Sequence, residues 1–422
     1  MFMEKPKLFD TNKSFIGIIA VLFLIITIRL FIEYQSYQNF ITKPFYYTYA
    51  DVLSSYEKTK GGKRYKVLKL RSDQGFTFYT TSHRKDEYRH KRLRLQIFPN
   101  KSISFKDYLG TFYVKSRIKE EESLPFTFKD DLLKKVSAQH ADSALQSFYN
   151  AIFFATPLER DLREKISMLG VSHLVALSGF HIGILWGLLY GLLLLLYRPF
   201  QQHFFPYRHA LFDVGLAVVL FLGIYVWFVD FPPSLVRSYA MVLLGWAVLL
   251  LGMELLSFTF LSTVLLILVA LFPSLLVSLA FQLSAAGVFY IFLLLQYSQG
   301  VKTWIISLVT IPFGIFILML PIVHTVFGVT SGYQLLSPLL SLLFVPFYPL
   351  VMLLHLLGLG GLFDTVLLWL FALPEENAES LLPAWLMYAY LALSLGAVWS
   401  RKIFWLLLGA ATLYMVYLFT FV

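Results

Sequence analysis

The chain contains no cysteine among its 422 residues, which excludes disulfides and thiolate metal centres. It is also poor in charge. Only 14% of residues are Asp, Glu, Lys or Arg, against 58% hydrophobic and 18% aromatic, whereas soluble domains are about one quarter charged. Mean hydropathy is +0.69. This balance excludes an ordinary soluble globular protein and implies a polytopic one whose solvent is lipid. A phosphate-cradling Gly-x-x-x-x-Gly-Lys-Ser/Thr run is missing as well, so an ATP-dependent motor, if one is needed, is a separate protein.

The charge that is present is unevenly placed. Ile41 to His140 carries 22 Lys and Arg against 11 Asp and Glu, which accounts for the whole excess of a chain with net charge +10. A concentrated positive patch attracts polyanions, either nucleic acid or anionic lipid headgroups. Its densest stretch is Lys63, Arg64, Lys66, Lys69, Arg71, Arg84, Lys85, Arg89, Lys91, Arg92 and Arg94. Short runs rich in β-branched and aromatic residues, Tyr65–Leu70, Gly75–Thr80, Leu93–Phe98 and Thr111–Lys115, are separated by turn residues at Ser72–Gly75 and Pro99-Asn100. They predict a small β-barrel of the OB type. That fold binds single strands with a cationic groove and aromatic stacking platforms. A plain β domain with a solvated basic surface, or one held near an anionic leaflet, fits the same residues.

Apolar segments frame this region. Phe15 to Ile32 spans a bilayer core of about 30 Å, with Arg29 near its end needing a partner or a route to the interface. Lys5, Lys7 and Lys13 precede it, so an uncleaved helix with a cytoplasmic N-terminus is expected, and the basic region then lies outside the cytoplasm. Ala141 to Met168 alternates polar and apolar residues and reads as amphipathic helices at the interface. From Gly170 onward apolar segments follow in quick succession. Threading them puts Arg198, Arg208, Lys302, Arg401 and Lys402 inside and Asp230, Glu375, Glu376 and Glu379 outside. The expected organisation is a membrane helix at 1–34, an extracytoplasmic β domain at 35–140, interfacial helices at 141–169 and a polytopic bundle at 170–422. About ten or eleven membrane helices are expected, with Leu362 to Leu373 short for a crossing.

Several membrane segments are interrupted, at Pro232-Pro233, Pro273, Pro312, Pro321, Pro338, Pro346, Pro349, Gly358 and Gly360-Gly361. Broken helices free backbone groups that line cavities in transporters and channels. The most polar stretch at membrane depth is Gly170 to Gly183, with His173, Ser178, Gly179 and His181. Polar groups there face a protein interior or a water path and mark function. On an unbroken helix the two histidines stand about 80° apart and share one broad face. Ser178-Gly179 could instead mark an unwound turn. Lining a pathway, packing hydrogen bonds and a metal site are the three roles to separate, and no nearby carboxylate or cysteine completes a ligand set. A Ser178–His181 pair raises intramembrane serine hydrolysis, which further needs an oriented base and an oxyanion hole. Arg237, just after the Pro232-Pro233 break, needs an anion, water or Asp230. Gln282 and Ser284 fit interhelical hydrogen bonding or contact with a passing chain.

Three ordered motifs, His173 to His181, Ser234-Leu235-Val236-Arg237 with Met241, and Phe281-Gln282-Leu283-Ser284, resemble those of the ComEC-type competence proteins. The resemblance covers about Tyr149 to Tyr348, and more loosely the β domain, which is OB-like in that family. It implies an inner-membrane channel carrying single-stranded DNA into the bacterial cytoplasm during natural transformation, with no enzymatic activity and no cofactor. The partners it implies are single-stranded DNA and the lipid bilayer, with a periplasmic DNA receptor and a separate cytoplasmic motor as further candidates. Many members append a metallo-β-lactamase-like domain. No His-x-His-x-Asp-His run occurs here, so a short form without that nuclease is expected. Ala280 replaces a frequent glycine, and Ser238 stands where alanine is usual. From the residues alone, a secondary transporter or lipid flippase remains the alternative, followed by the serine hydrolase.

Overall fold

A computed structural model describes residues 9, 11–60, 62–84, 86–88, 90–125, 127–250, 257–374 and 378–421. The chain divides into two compact units. One comprises Thr11–Phe128 with Thr263–Leu279, and the other contains Lys129–Ser262 and Ala280–Val422.

In the first unit, α1 (Asn12–Ile41) begins at Thr11, whose side chain accepts from the Ser14 N–H. Most of its apolar side chains, Ile16, Phe23, Leu24 and Phe31 among them, are exposed, whereas Phe15, Ile19, Leu22, Ile26 and Leu30 form a less exposed stripe in which Ile26 is buried. Arg29 finds a partner, donating to the Leu271 carbonyl at 3.3 Å. The last turns of α1 change character, since Tyr37 donates to the Ile103 carbonyl at 2.8 Å and Phe40 is buried among sheet residues.

That sheet has six strands: β1 (Tyr46–Lys60), β2 (Lys63–Ser72), β3 (Thr77–Ser82), β4 (Lys91–Phe98), β5 (Thr111–Tyr113) and β6 (Lys115–Ser123), in the order β5-β3-β2-β1-β4-β6. A short helix, α2 (Phe105–Leu109), precedes β5 and is closed by a capping box between Ser104 and Asp107. All pairings are antiparallel except β3 with β5. Period-2 alternation places Leu68, Leu70, Phe78, Leu93, Leu95 and Ile97 wholly inside. Each contributes about 1.5–3 kcal/mol relative to exposure. The two outer strands of this order are consecutive in the chain and separated only by Val114. The Val114 N–H donates to the Tyr79 carbonyl at 2.9 Å, and the Thr80 and Ser116 hydroxyls lie 2.8 Å apart.

In the second unit, α3 (Phe128–Ser137), α4 (Ser143–Phe154), α5 (Arg160–Met168) and the single turn α6 (Ser172–Val175) lead into the long helices. The helices that follow are α7 (Gly179–Phe204), α8 (Ala210–Phe228), α9 (Pro233–Leu250), α10 (Phe258–Leu271), whose residues from Thr263 on belong to the first unit, α11 (Leu279–Tyr297), α12 (Thr303–Ile305), α13 (Ile311–Val323), α14 (Ser337–Leu356), α15 (Asp364–Phe371), α16 (Ala384–Ala397) and α17 (Arg401–Phe421). A π-helical turn, Ile306–Thr310, joins α12 to α13. One apolar cluster packs α4 to α9 against α14 and α15 around Tyr149, Ile152, Val218, Leu235, Tyr348 and Val351. A second joins α11, α13, α16 and α17 around Leu293, Leu318 and Leu407.

Among the described residues, seven helices are long and apolar enough to cross a membrane, and Ser234–Leu250, Phe258–Leu271, Gly360–Phe371 and Ala384–Ala397 are shorter apolar helices. The expected segment Leu235 to Met253 runs past Leu250 into residues outside the described set, where Glu375 and Glu376 also lie. The proline breaks are only partly realised. Pro232-Pro233, Pro273 and Pro338 stand at helix ends, whereas Pro312 follows the π-helical turn inside the continuous Thr303–Val323 helix, as Pro321 does, and Pro346 and Pro349 sit inside α14. Neighbouring helices and local adjustment keep such prolines within membrane helices.

Candidate DNA pathway in the helical unit

The Gly170–Gly183 stretch is broken, not continuous. After α6 the chain is extended at Ala176, and Ser178 caps α7 with φ −142° and ψ −176°. The Phe180 N–H donates to Ser178 Oγ at 3.3 Å, and the Ser178 N–H donates to His181 Nδ1 at 3.3 Å. This is a capping box with histidine in the place usually taken by Glu or Gln. The Ser178 hydroxyl donates to the His173 carbonyl at 3.4 Å, so in this arrangement it does not donate to His181 as a hydrolase dyad requires.

The two histidines therefore have different surroundings. His181 is wholly buried, edge-on to Phe344 and Tyr348 at ring separations of 5.3 and 4.8 Å, and its Nε2 has no hydrogen-bond partner among the described residues. His173 is exposed, with Nε2 at 3.2 Å from Ser341 Oγ. The single Ser341 hydroxyl hydrogen goes to the Ser337 carbonyl at 2.7 Å, so Nε2 of His173 is the donor in that contact.

The second motif is strapped to this break. Ser234 donates to the Leu177 carbonyl at 2.6 Å, and Ser238 donates to the Ser234 carbonyl at 2.8 Å. Gly179 makes the approach possible, because a Cβ there would stand 3.0 Å from Ser238 Oγ. The preceding turn holds Asp230 and Phe231 at φ +65° and +52°, a left-handed pair that costs energy in non-glycine residues. Asp230 pairs with Lys129 at 2.6 Å, so it is not the partner of Arg237. Arg237 is only 6% exposed; its Nε lacks a hydrogen-bond partner among the described residues, and its guanidinium lies 5.8 Å from the Phe281 ring centroid. Cation–π attraction thus links the second motif to the third. On α11, Gln282 is exposed and Ser284 half-buried.

The three motifs are thus joined in series: Ser234 and Ser238 meet the break before α7, and Arg237 meets Phe281. Among the described residues no group of three or more His, Cys, Asp or Glu is placed to hold a metal. The family model of the competence proteins matches residues 155–422. The chain belongs to the competence protein family. No curated protein and no solved structure matches it. Membership points to DNA uptake during natural transformation, and the seven long apolar helices make the chain a multi-pass membrane protein of this family.

The sequence did not single out the α14 wall of Ser337, Ser341, Phe344 and Tyr348. Its two serines four residues apart were the available signal, since such small polar residues share a helix face.

In the β unit the basic candidates separate by partner. Arg92 donates to both Asp73 carboxylate oxygens at 2.5 Å, Arg94 to Glu120 at 2.7 Å and Lys91 to Glu121 at 2.8 Å, and Arg84 lies 3.5 Å from Glu121. The Glu121 hydrogen bond raises the Lys91 pKa and keeps the ammonium charged. Lys66 reaches the Asp86 carbonyl at 3.0 Å, and Lys69 lies over Tyr79 at 5.9 Å. Arg64 and Arg71 are exposed on β2. Lys85 and Arg89 lie outside the described residues, as does the side chain of Lys63. Tyr47 and Tyr49 of β1 face Arg94 at 5.9 Å each, beside an open groove of about 320 Å³ lined by Tyr49, Arg92, Arg94 and Glu120 to Glu122.

Proposed function

We propose that the chain is the inner-membrane channel through which single-stranded DNA enters the cytoplasm, with its N-terminus cytoplasmic and its basic β unit outside. The observation that carries the reading is Arg237: a buried guanidinium whose Nε has no hydrogen-bond partner among the described residues, beside the broken start of α7. A buried charge without a carboxylate is costly unless an anion visits it, and a passing phosphate is such an anion. His173, Ser178, Gly179, His181, Gln282 and Ser284 then line or shape the path. The four shorter apolar helices complete the crossings begun by the seven long ones.

The β unit is read as an OB-like barrel that receives the strand. Its support is the strand order, in which the outer strands β5 and β6 are one chain segment able to join the ends of the sheet. The exposed Tyr47 and Tyr49 beside Arg94 offer stacking faces with cationic neighbours, a combination that binds any sequence. A periplasmic receptor and a cytoplasmic motor would complete the route.

Replacing Arg237 or His173 by alanine is expected to abolish transformation while the protein stays inserted at normal abundance. Ordinary transformation frequency in both variants would refute this assignment of the path. A transporter or flippase of the same architecture would show instead an envelope or growth defect on gene deletion, with transformation intact.

A further inference from the structure

A second buried polar cluster lies on α14, fourteen residues beyond Ser341 and so about 21 Å along the helix. His140, between α3 and α4, places Nε2 at 2.9 Å from Nε2 of His355. Its Nδ1 lies 2.9 and 3.0 Å from the two carboxylate oxygens of Asp364, the first residue of α15. His355 Nδ1 in turn lies 2.6 Å from the Val351 carbonyl. Both rings are buried.

Each of these contacts has hydrogen-bond length and needs one hydrogen. A carbonyl only accepts, so His355 Nδ1 is protonated. Two ring nitrogens facing each other need a hydrogen between them, and a nitrogen facing a carboxylate needs another. Three contacts therefore need three protons, whereas an ionised Asp and two neutral His hold two. We propose that His140, His355 and the half-buried Asp364 form a proton-binding site that retains one proton beyond those the three groups carry apart. The trio is then net neutral, with Asp364 ionised, His140 doubly protonated and His355 neutral, as burial favours.

The surroundings favour a proton over a metal ion. A Cβ on Gly360 would lie 2.7 Å from His355 Nε2 and 2.6 Å from Gln139 Oε1, so the backbone closes over the contact. The Tyr149 ring covers the other side, 4.4 Å from the His140 ring and 4.5 Å from that of His355. The titratable groups facing the two rings are Asp364 from α15 and Tyr149 from α4. Burial first, then Asp364, raises the Tyr149 phenol and keeps it neutral. Gln139 fixes the frame, donating to the His355 carbonyl at 3.1 Å and accepting from the Gly360 N–H at 2.8 Å. Gln146 holds the His140 carbonyl at 2.9 Å.

The unfolded chain carries two such protons well below the ordinary His value of about 6.5 and none well above it, whereas the folded site carries one. Stability therefore rises with pH below that value and falls above it. Asp364→Asn separates this from simple packing. The Asn amide donates to His140 Nδ1, and all three contacts are then made without the additional proton. In detergent, monitored by tryptophan fluorescence, the wild-type melting temperature is expected to peak near pH 6.5 and decline towards pH 9. The variant should stay level above pH 7, the wild-type alkaline limb approaching a tenfold change in the unfolding equilibrium per pH unit. Equal alkaline limbs in both proteins overturn the proposal. Should Asp364→Asn fail to fold, ring ¹⁵N NMR of the histidine-labelled full chain in bilayers at pH 7.5 decides. One histidine with both nitrogens protonated, lost in His140→Gln, supports the site. Neutral rings throughout overturn it.

Discussion

Gly179 and Ser238 touch across two helices with no room for one more carbon, because a Cβ on the glycine would stand 3.0 Å from the serine oxygen and 3.4 Å from its Cβ. Gly179→Ala is expected to lower stability by about 1 kcal/mol, the lower end of overpacking costs. Adding Ser238→Ala should restore most of the loss, since the remaining 3.4 Å contact is ordinary. Thermal unfolding of the two single variants and the double variant measures this coupling. The sequence marked Gly179, His181 and Arg237 as unusual because polar and glycine residues stand out in an apolar run. It could not assign their roles. Ser178 and His181 are three residues apart whether they form a catalytic pair or a cap, and only the direction of each hydrogen bond separates the two.

At the scale of elements, Ser178-Gly179 left an unwound turn and an unbroken helix both open, whereas the strands β2 and β4 were legible, because period-2 alternation is a local signal. β1 was not. A bulge between Val52 and Ser54 shifts its alternation, and Ser54 and Ser55 put polar side chains at two successive positions, so no clean pattern survives. The acidic run of β6 was equally hidden as a partner, since strand pairing alone brings Glu120 opposite Arg94 and Glu122 opposite Arg92. These carboxylates compete with any phosphate for the same guanidiniums. Glu120→Gln is therefore expected to tighten single-stranded DNA binding by up to about fivefold, the upper limit for an exposed pair of about 1 kcal/mol. Fluorescence anisotropy of the full-length protein at fixed salt tests it, and unchanged or weaker binding would show that Arg94 does not meet the strand.

Over the whole molecule, composition alone established lipid as the solvent, and three short motifs pointed to the family. Spans such as Trp385 to Trp399 were harder to delimit, because hydropathy continues where the helix stops; α16 ends at Ala397. The net charge of +10 overstates what is free to bind, since much of the β4 charge is already neutralised in place. The dependence of affinity on salt should follow the remaining cations. Arg71→Gln is expected to reduce the slope of log affinity against log salt by about 0.7, one phosphate contact on a single strand, whereas Arg92→Gln should change it less. Titrations between low and physiological salt compare the two.

One helix joins the two polar clusters of the bundle. At one end of α14, Ser341 meets His173; at the other, His355 is pinned by Gln139 and His140. Between them stand Pro346 and Pro349, which offer no N–H to the carbonyls of Leu342 and Val345. The helix is thus a stiff arm with an elbow in its middle. Ser337, donating to the Gly170 carbonyl at 3.0 Å, ties the half facing His173 as well, so any give that these two missing hydrogen bonds allow lies between two fixed ends.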